Sequence, residues 1–302
     1  MSRTRFARLG DLQIAYEVRG PRLTRRLPLL LIQGLALDHA GWGPAAGPLQ
    51  RLFRLVLVDN RGSGRSPASG PFSVTDMADD ALAVLDHAGI GAAHVLGASL
   101  GGMIAQDLAM RYPGRVGRLV LACTTPGWPF AYPMPLPSVR LIAGSGGLAP
   151  REALRRHVEN ALSAATVADR PELAQQIIDS QPPVWERHPG AWQAQAAAGG
   201  RYTSSVRQRR IRARTLVLHG TSDRVVDPRN ARLLAARIPH ADLVTFPSLG
   251  HLFFWEDPGA FAAAVTSFLG GADLKPGRQI ARRYSSMISL TGRRGLDGTG
   301  RP

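Results

Sequence analysis

The chain has 302 residues, of which 44% are hydrophobic and 20% charged, and its formal net charge is +15 at pH 7. These fractions are close to the averages of globular proteins and exclude a chain that is disordered throughout. The positive charge is spread along the sequence and accompanies no nucleic-acid-binding motif, so we expect a solvated basic surface and no nucleic-acid partner.

Short apolar runs that are typical of strands recur along the chain. In chain order they cover 13–18, 29–32, 53–59, 94–96, 119–123, 215–219 and 241–246. Several are apolar throughout, as expected for parallel strands that helices cover on both faces. Helical patterns alternate with them, over 74–87, 99–111, 228–238 and 258–269. This alternation predicts an α/β fold with a doubly wound, mostly parallel sheet.

Two segments interrupt the alternation. Residues 124–214 contain no convincing strand; after a proline- and aromatic-rich start they show helical patterns over 151–164, 171–180 and 191–198. We interpret 124–214 as a helical lid, inserted into a core that 1–123 and 215–270 form. Residues 271–302 are rich in arginine, glycine and serine and have no sustained apolar pattern, which predicts a basic, disordered tail.

Several kinds of site and location are not expected. The single cysteine, Cys123, allows no internal disulfide and no cysteine-rich metal site, and the histidines show no metal-ligand spacing. The first residues lack the apolar segment of a secretory signal. The longest apolar stretch, 27–37, is far shorter than the ~20 residues that cross a bilayer. The sequence therefore predicts a cytoplasmic protein with no metal and no membrane association.

Ser99 stands in the motif Gly97-Ala-Ser-Leu-Gly101, between a predicted strand and a predicted helix. A sharp strand-to-helix turn exposes a serine hydroxyl, and glycines on either side let strand and helix approach closely. The helix N-terminus also places N–H groups where an oxyanion develops. The motif arises easily by chance among 33 glycines, but its context favours a nucleophile over an ordinary helix start.

A serine nucleophile needs a histidine base that an acid holds in place. In folds that place the serine on such a turn, the three residues follow one another along the chain in the order serine, acid, histidine. Asp223 follows the next-to-last predicted strand, and His251 follows the last. Asp227 is the alternative acid, but it precedes a proline and is better explained as a helix N-cap. His219 is interpreted as a core or rim histidine. The sequence predicts a Ser99–His251–Asp223 triad.

The loop after the strand 29–32 is the expected source of a second oxyanion donor. It contains Gln33, Gly34 and Leu35. We expect the backbone N–H groups of Leu35 and Leu100 to form the oxyanion hole, and Gln33 and Gly34 to lie against the substrate.

Together these motifs resemble the α/β-hydrolase superfamily over about residues 6–270. The matching segments are Gln33-Gly34, Asp59-Asn-Arg-Gly-Ser-Gly-Arg-Ser66, Gly97-Ala-Ser-Leu-Gly-Gly102, Gly220-Thr-Ser-Asp223 and Gly250-His251. Ser-Leu-Gly-Gly-Met is similar to the 3-oxoadipate enol-lactonase and small carboxylesterase branch. The resemblance implies the α/β-hydrolase fold, a helical lid and no cofactor. Many relatives have histidine in place of Gln33, and the dehalogenase and epoxide hydrolase branches have aspartate in place of Ser99.

The residues and the resemblance favour a serine hydrolase that acts on a small carboxylic ester or lactone through an acyl-enzyme intermediate. Two other reactions on the same triad stay open: hydrolysis of a C–C bond and cofactor-free perhydrolysis. A slow-turnover homologue that binds a small molecule is a further alternative, since fold alone does not establish function. The sequence leaves the oligomeric state open.

Aromatic residues begin the predicted lid. Trp128, Phe130, Tyr132 and Met134 precede the first charged residue of this segment, Arg140. They are either the core of the lid or the wall of the substrate pocket, because pockets are also lined with apolar groups. As a pocket wall they would favour neutral, bulky acyl or ring groups.

Overall fold

The structure is a computed structural model that describes residues 3–22, 24–68, 70–181, 188, 190–204 and 207–271. In these residues eight strands form one sheet. They are β1 (Arg5–Leu9), β2 (Leu12–Arg19), β3 (Leu29–Ile32), β4 (Leu55–Val58), β5 (Ala93–Ala98), β6 (Val116–Ala122), β7 (Arg214–Gly220) and β8 (Ala241–Phe246). Their order across the sheet is β1-β2-β4-β3-β5-β6-β7-β8.

Helices connect the strands. They are α1 (Gly43–Leu52), α2 (Val74–His87), α3 (Leu100–Arg111), α4 (Leu136–Gly144), α5 (Pro150–Ala161), α6 (Ala164–Asp169), α7 (Pro171–Ser180), α8 (Ala191–Gly200), α9 (Arg229–Arg237), α10 (Phe253–Glu256) and α11 (Pro258–Leu269). None of these helices in the described ranges is both long and apolar enough to span a lipid bilayer.

The sheet is parallel from β4 through β3 to β8, and only β1 and β2 run antiparallel to their neighbours. The parallel register aligns the carboxyl ends: Ala98 pairs with Ala122, and Ala122 with Leu218. The loops that follow β5, β6, β7 and β8 therefore meet at one edge. This architecture confirms the predicted α/β fold and its α/β-hydrolase type.

Both faces of the sheet are buried, which explains why the central strands are apolar throughout. Successive residues of β3 show the alternation. Leu29 and Leu31 belong to a core that they share with α1 and α11. Leu30 and Ile32 belong to a second core, shared with α2, α3 and α9.

The segment between β6 and β7 is helical, with α4 to α8 and no named strand in its described residues. Its helices join the cores of the sheet. Leu154 of α5 and Ile177 of α7 belong to the first core, and Ala198 of α8 belongs to the second. The division into core and lid stays a prediction, because these contacts make the segment continuous with the body.

The sequence analysis misses β1 and the helices α1, α4, α6 and α10. α1 contains two glycines and two prolines, and it is helical because Ala45, Ala46 and Leu49 are buried in the first core. β1 is an edge strand that pairs only with β2. The helix predicted from residue 99 begins at Leu100, and the one predicted from residue 228 begins at Arg229.

The predicted starts of α2 and α11 are confirmed. Ser73 and Asp76 form the reciprocal capping box of α2. Asp257 caps α11 and accepts the N–H of Ala260 at 2.9 Å. The predicted disordered tail lies outside the described residues, apart from Gly271.

Candidate active site

Ser99 lies in a tight turn between β5 and α3, with a backbone φ of 54° and ψ of −118°. A positive φ is strained for a residue that has a Cβ. Glycines make the turn possible: a Cβ on Gly97 would collide with the carbonyl oxygen of Gly101, and one on Gly101 with that of Ile32. The glycine pattern therefore lets β5, α3 and β3 approach one another.

Several hydrogen bonds hold the backbone of Ser99. Its N–H donates to the carbonyl of Ala122 at 2.9 Å, and its own carbonyl accepts the N–H of Gly102 at 2.9 Å and the Thr124 hydroxyl at 2.7 Å. The side chain is partly exposed. Within the described part of the chain its Oγ forms no hydrogen bond with His251. Hydrogen bonds in substrate-free active sites are often long and shorten when substrate binds.

Asp223 and His251 form a buried pair. Asp223 follows β7, His251 follows β8, and His251 Nδ1 lies 2.7 Å from Asp223 Oδ2. The other carboxylate oxygen accepts the N–H groups of Val225 at 2.8 Å and Val226 at 2.9 Å. This arrangement orients the imidazole and leaves its second nitrogen available to exchange a proton.

Asp223 is ionised in spite of its burial. Burial by itself raises the pKa of the Asp223 carboxyl, but the nearby His251 and His219 rings outweigh burial and hold this pKa well below its usual range. A carboxylate that stays ionised can stabilise an imidazolium beside it.

Cys123 connects the serine turn to the acid. This fully buried residue follows β6, and its N–H donates to the carbonyl of Leu218 at 2.9 Å. Burial raises the pKa of its thiol well above the usual range; the charge of Asp223 raises it further, and a hydrogen bond with the Ser99 backbone lowers it. The Cys123 thiol thus contacts the serine turn and lies close enough to Asp223 for the carboxylate charge to act on it. The turn of Ser99 and Asp223 are therefore near each other.

Asp227 has a different environment. Its carboxylate pairs with the Arg229 guanidinium at 2.6 Å and accepts the Arg229 N–H at 2.9 Å. The hydrogen bond with the Arg229 side chain lowers the pKa of Asp227. The structure therefore brings Asp223, and not Asp227, to His251.

The loop after β3 lies against the serine turn. A Cβ built on Gly34 would lie 3.1 Å from the Cβ of Ser99. The Gly34 N–H donates to the side chain of Gln33 at 2.8 Å, so it is already occupied. The N–H of Leu100 has no partner within its helix, because Leu100 is the first residue of α3. The oxyanion site between the N–H groups of Leu35 and Leu100 stays a prediction.

Gln195 of α8 is a residue that the sequence analysis missed. It is fully buried, and its Oε1 accepts the N–H of Ala36 at 2.9 Å. Its Nε2 donates to the carbonyl of Arg61 at 2.7 Å and to the hydroxyl of Ser63 at 3.0 Å. Ala36 has a φ of 62°, so this amide holds a strained residue directly after Leu35. No local pattern predicts such a contact, because Gln195 and Ala36 are 159 residues apart.

One group of side chains has the composition of a metal site. Asp38, His39 and Asp59 offer ligand atoms that all lie within 4.8 Å of one another, which the spacing of the histidines did not indicate. His39 Nδ1 lies 2.7 Å from Asp59 Oδ1, and the other oxygen of Asp59 accepts the N–H of Arg65 at 3.1 Å. Burial lowers the pKa of His39, but the hydrogen bond and the nearby acids outweigh it and raise this pKa. The cluster is thus satisfied by its own ion pair.

The aromatic residues that begin the predicted lid are exposed. Trp128 is 66% exposed. The rings of Phe130 and Tyr132 pack beneath the guanidinium groups of Arg237 at 4.7 Å and Arg229 at 4.1 Å, both on α9. These contacts do not bring the two rings to Ser99, and the assignment of the three aromatic residues to the substrate pocket stays a prediction.

Comparison with known proteins agrees with the fold. The family described as the alpha/beta hydrolase fold matches residues 28–258. This match covers most of the chain, and the chain belongs to the α/β-hydrolase family. It is therefore a hydrolase by family.

Individual relatives carry several activities. A protein of Caulobacter segnis named as carbamate hydrolase RutD is 31% identical over 280 residues, which are 86% of this chain and 97% of the relative. A 2-hydroxy-6-oxononadienedioate/2-hydroxy-6-oxononatrienedioate hydrolase of Cupriavidus pinatubonensis is 31% identical over 251 residues, 80% of this chain and 86% of the relative. The structure of an esterase from Rhodococcus superposes with a TM-score of 0.76 at 25% identity. The superposition covers 90% of this chain and 99% of the esterase.

Proposed function

We propose that this protein is a serine hydrolase that cleaves a carboxylic ester or lactone through an acyl-enzyme intermediate. The observation that carries the proposal is the strained turn of Ser99 at the sheet edge that also holds the Asp223–His251 pair. The esterase from Rhodococcus, which shares the fold, supports this class of substrate.

In the proposed mechanism His251 removes the hydroxyl proton of Ser99 while Oγ attacks the carbonyl carbon of the substrate. Asp223 keeps the Nδ1 proton of His251 in place and stabilises the imidazolium. The N–H groups of Leu35 and Leu100 stabilise the oxyanion, each by about 3 kcal/mol. His251 then gives its proton to the leaving oxygen, and it afterwards activates the water that hydrolyses the acyl-enzyme.

A second candidate is hydrolysis of a carbamate or of a C–C bond on the same residues. The two curated relatives support it, since one is named as a carbamate hydrolase and the other as a hydrolase of a 2-hydroxy-6-oxo diacid. These reactions also begin with addition to a carbonyl carbon. In a carbamate that carbon also bears a nitrogen, and in C–C bond hydrolysis the leaving group is a carbon atom. A panel of p-nitrophenyl esters, lactones, aryl carbamates and a 2-hydroxy-6-oxo dienoate therefore separates the candidates by which bond breaks fastest.

The acyl-length series in this panel tests the proposed pocket. We expect medium-chain or aromatic esters to give higher kcat/KM than acetate esters, because each buried methylene contributes about 0.8 kcal/mol. Trp128→Ala should reduce this preference more than it slows acetate hydrolysis. Leu52→Ala, at an exposed apolar residue of α1, serves as the control. A flat chain-length profile would remove Trp128, Phe130 and Tyr132 from the pocket.

Gln195 provides a test of the oxyanion loop. Gln195→Leu removes the acceptor of the Ala36 N–H, so the neighbouring Leu35 N–H should lose its position. We expect kcat to fall by roughly tenfold, less than the ~10²–10³ lost when an oxyanion donor is deleted. Gln193→Leu is the matched control, because Gln193 is an exposed residue of the same helix. Equal kcat values in the two variants would mean that α8 does not position the loop.

A further inference from the structure

His219 is a buried histidine that the proposed mechanism does not use. It lies near the end of β7, four residues before Asp223, and its side chain is 0% exposed. Its Nε2 lies 2.9 Å from Asp223 Oδ2 and 3.1 Å from the carbonyl oxygen of Val226. Its Nδ1 is also buried, and it has no hydrogen-bond partner in the described residues.

These contacts define the protonation of His219. Both neighbours of Nε2 are hydrogen-bond acceptors, so Nε2 carries a hydrogen that they share. A second hydrogen on Nδ1 would be a buried donor without an acceptor, which folded proteins avoid. In a neutral ring the hydrogen therefore lies on Nε2.

Asp223 consequently faces four hydrogen donors. Val225 N–H and Val226 N–H approach Oδ1, while His251 and His219 approach Oδ2. A carboxylate offers about four lone-pair sites, so this set fills them. Two donors on one oxygen must share its negative charge. The hydrogen bond from His219 to Oδ2 therefore weakens the interaction of the same oxygen with His251.

We propose that His219 is a positioning residue, whose Nε2–H sets the negative charge and the orientation that Asp223 presents to His251. The inference rests on the proposed function, because it assigns a role to the partner of a catalytic His251. It makes His251 a weaker base than it would be beside an Asp223 without this neighbour.

Two other ionisable groups, Cys123 and Asp227, lie near Asp223 and His219. Cys123 faces Asp223 from the end of β6, and burial keeps its thiol neutral by raising its pKa. Asp227 faces His219 from the loop after β7, and it is paired with Arg229. Neither group is changed in the variants below.

Two substitutions separate the N–H donor from the shape of the ring. His219→Phe keeps a ring and removes the donor, whereas His219→Gln keeps an N–H at a similar distance from the backbone. With the best ester of the panel, the acid limb of kcat/KM against pH should move up by about 0.5 to 1 pH unit in His219→Phe. It should stay within about 0.2 unit of the wild-type protein in His219→Gln. An unmoved limb in His219→Phe, or equal shifts in both variants, would overturn the proposal.

Nitrogen NMR of the imidazoles gives an independent answer that needs no turnover. In the wild-type protein His219 should show a neutral ring with hydrogen on Nε2, and the titration of the His251 ring should move upward in His219→Phe. An imidazolium at His219 near neutral pH would overturn the proposal, even if the Phe variant fails to fold. If no ester is cleaved, the proposed function fails, while these two NMR results still decide the role of His219.

Discussion

Ser99→Ala is expected to lower kcat/KM for the best ester by at least about a thousandfold, because loss of the nucleophile leaves only the oxyanion donors and substrate binding. The fold should persist. Alanine has the same Cβ as serine, so it tolerates the φ of 54° equally well, and the hydrogen bonds of this turn use the Ser99 backbone. Circular dichroism and the melting temperature should therefore match those of the wild-type protein.

Ser248→Ala is the matched control for this experiment. Ser248 is an exposed serine that also has a positive φ, of 62°, so its substitution repeats the backbone situation without the proposed chemistry. A fluorophosphonate probe should label the wild-type protein and Ser248→Ala to the same extent, but not Ser99→Ala. Activity of Ser99→Ala above about a hundredth of the wild-type value would exclude Ser99 as the nucleophile.

Asp223→Asn is expected to cost about four orders of magnitude in kcat. The amide is nearly isosteric with the carboxylate, but its NH₂ group cannot accept the Nδ1 hydrogen of His251. The imidazole then adopts the wrong tautomer, and the 2.7 Å contact between the two side chains no longer supports a base at the opposite nitrogen. The expected loss therefore comes from protonation and not from packing.

Asp227→Asn is the natural comparison, since Asp227 is the other acid of the same loop. It contacts Arg229 at the surface, and exposed ion pairs contribute little. We expect less than about a threefold change in kcat for this variant. Steady-state kinetics on the same ester measure both variants, and a larger loss in Asp227→Asn than in Asp223→Asn would show that Asp227 is the acid.

Much of the fold could be predicted because its signals are local. β3 consists of Leu29-Leu-Leu-Ile32, and such a short apolar run can only be a strand that is buried on both faces or part of a buried helix. Ser73 and Asp257 mark helix starts, since a cap involves residues two or three positions apart. The residues proposed for the site were found in the same way, because each follows the carboxyl end of a predicted parallel strand.

Two of the missed elements, α1 and β1, are stabilised by distant contacts. α1 has a poor helical sequence, with glycine and proline at four of its ten positions, and its stability comes from burying Ala45 and Leu49 against α11. β1 buries only one of its five residues, Ala7, and it is a strand because it pairs with β2. Intrinsic propensity cannot report contacts with partners that lie elsewhere in the chain.

Sequence patterns predicted most of the strands and helices in chain order, the glycine-lined turn of Ser99 and the positions of Asp223 and His251 after the last two strands. Each of these depends on residues close together in the chain, whose sterics and periodicity act within a few positions. Three contacts are visible only in the folded chain: Asp223 rather than Asp227 contacts His251, His219 approaches the same carboxylate, and Gln195 holds the loop of Leu35. Those contacts join side chains from separate elements, and their distances exist only after the sheet has aligned its carboxyl ends and α8 has packed across them.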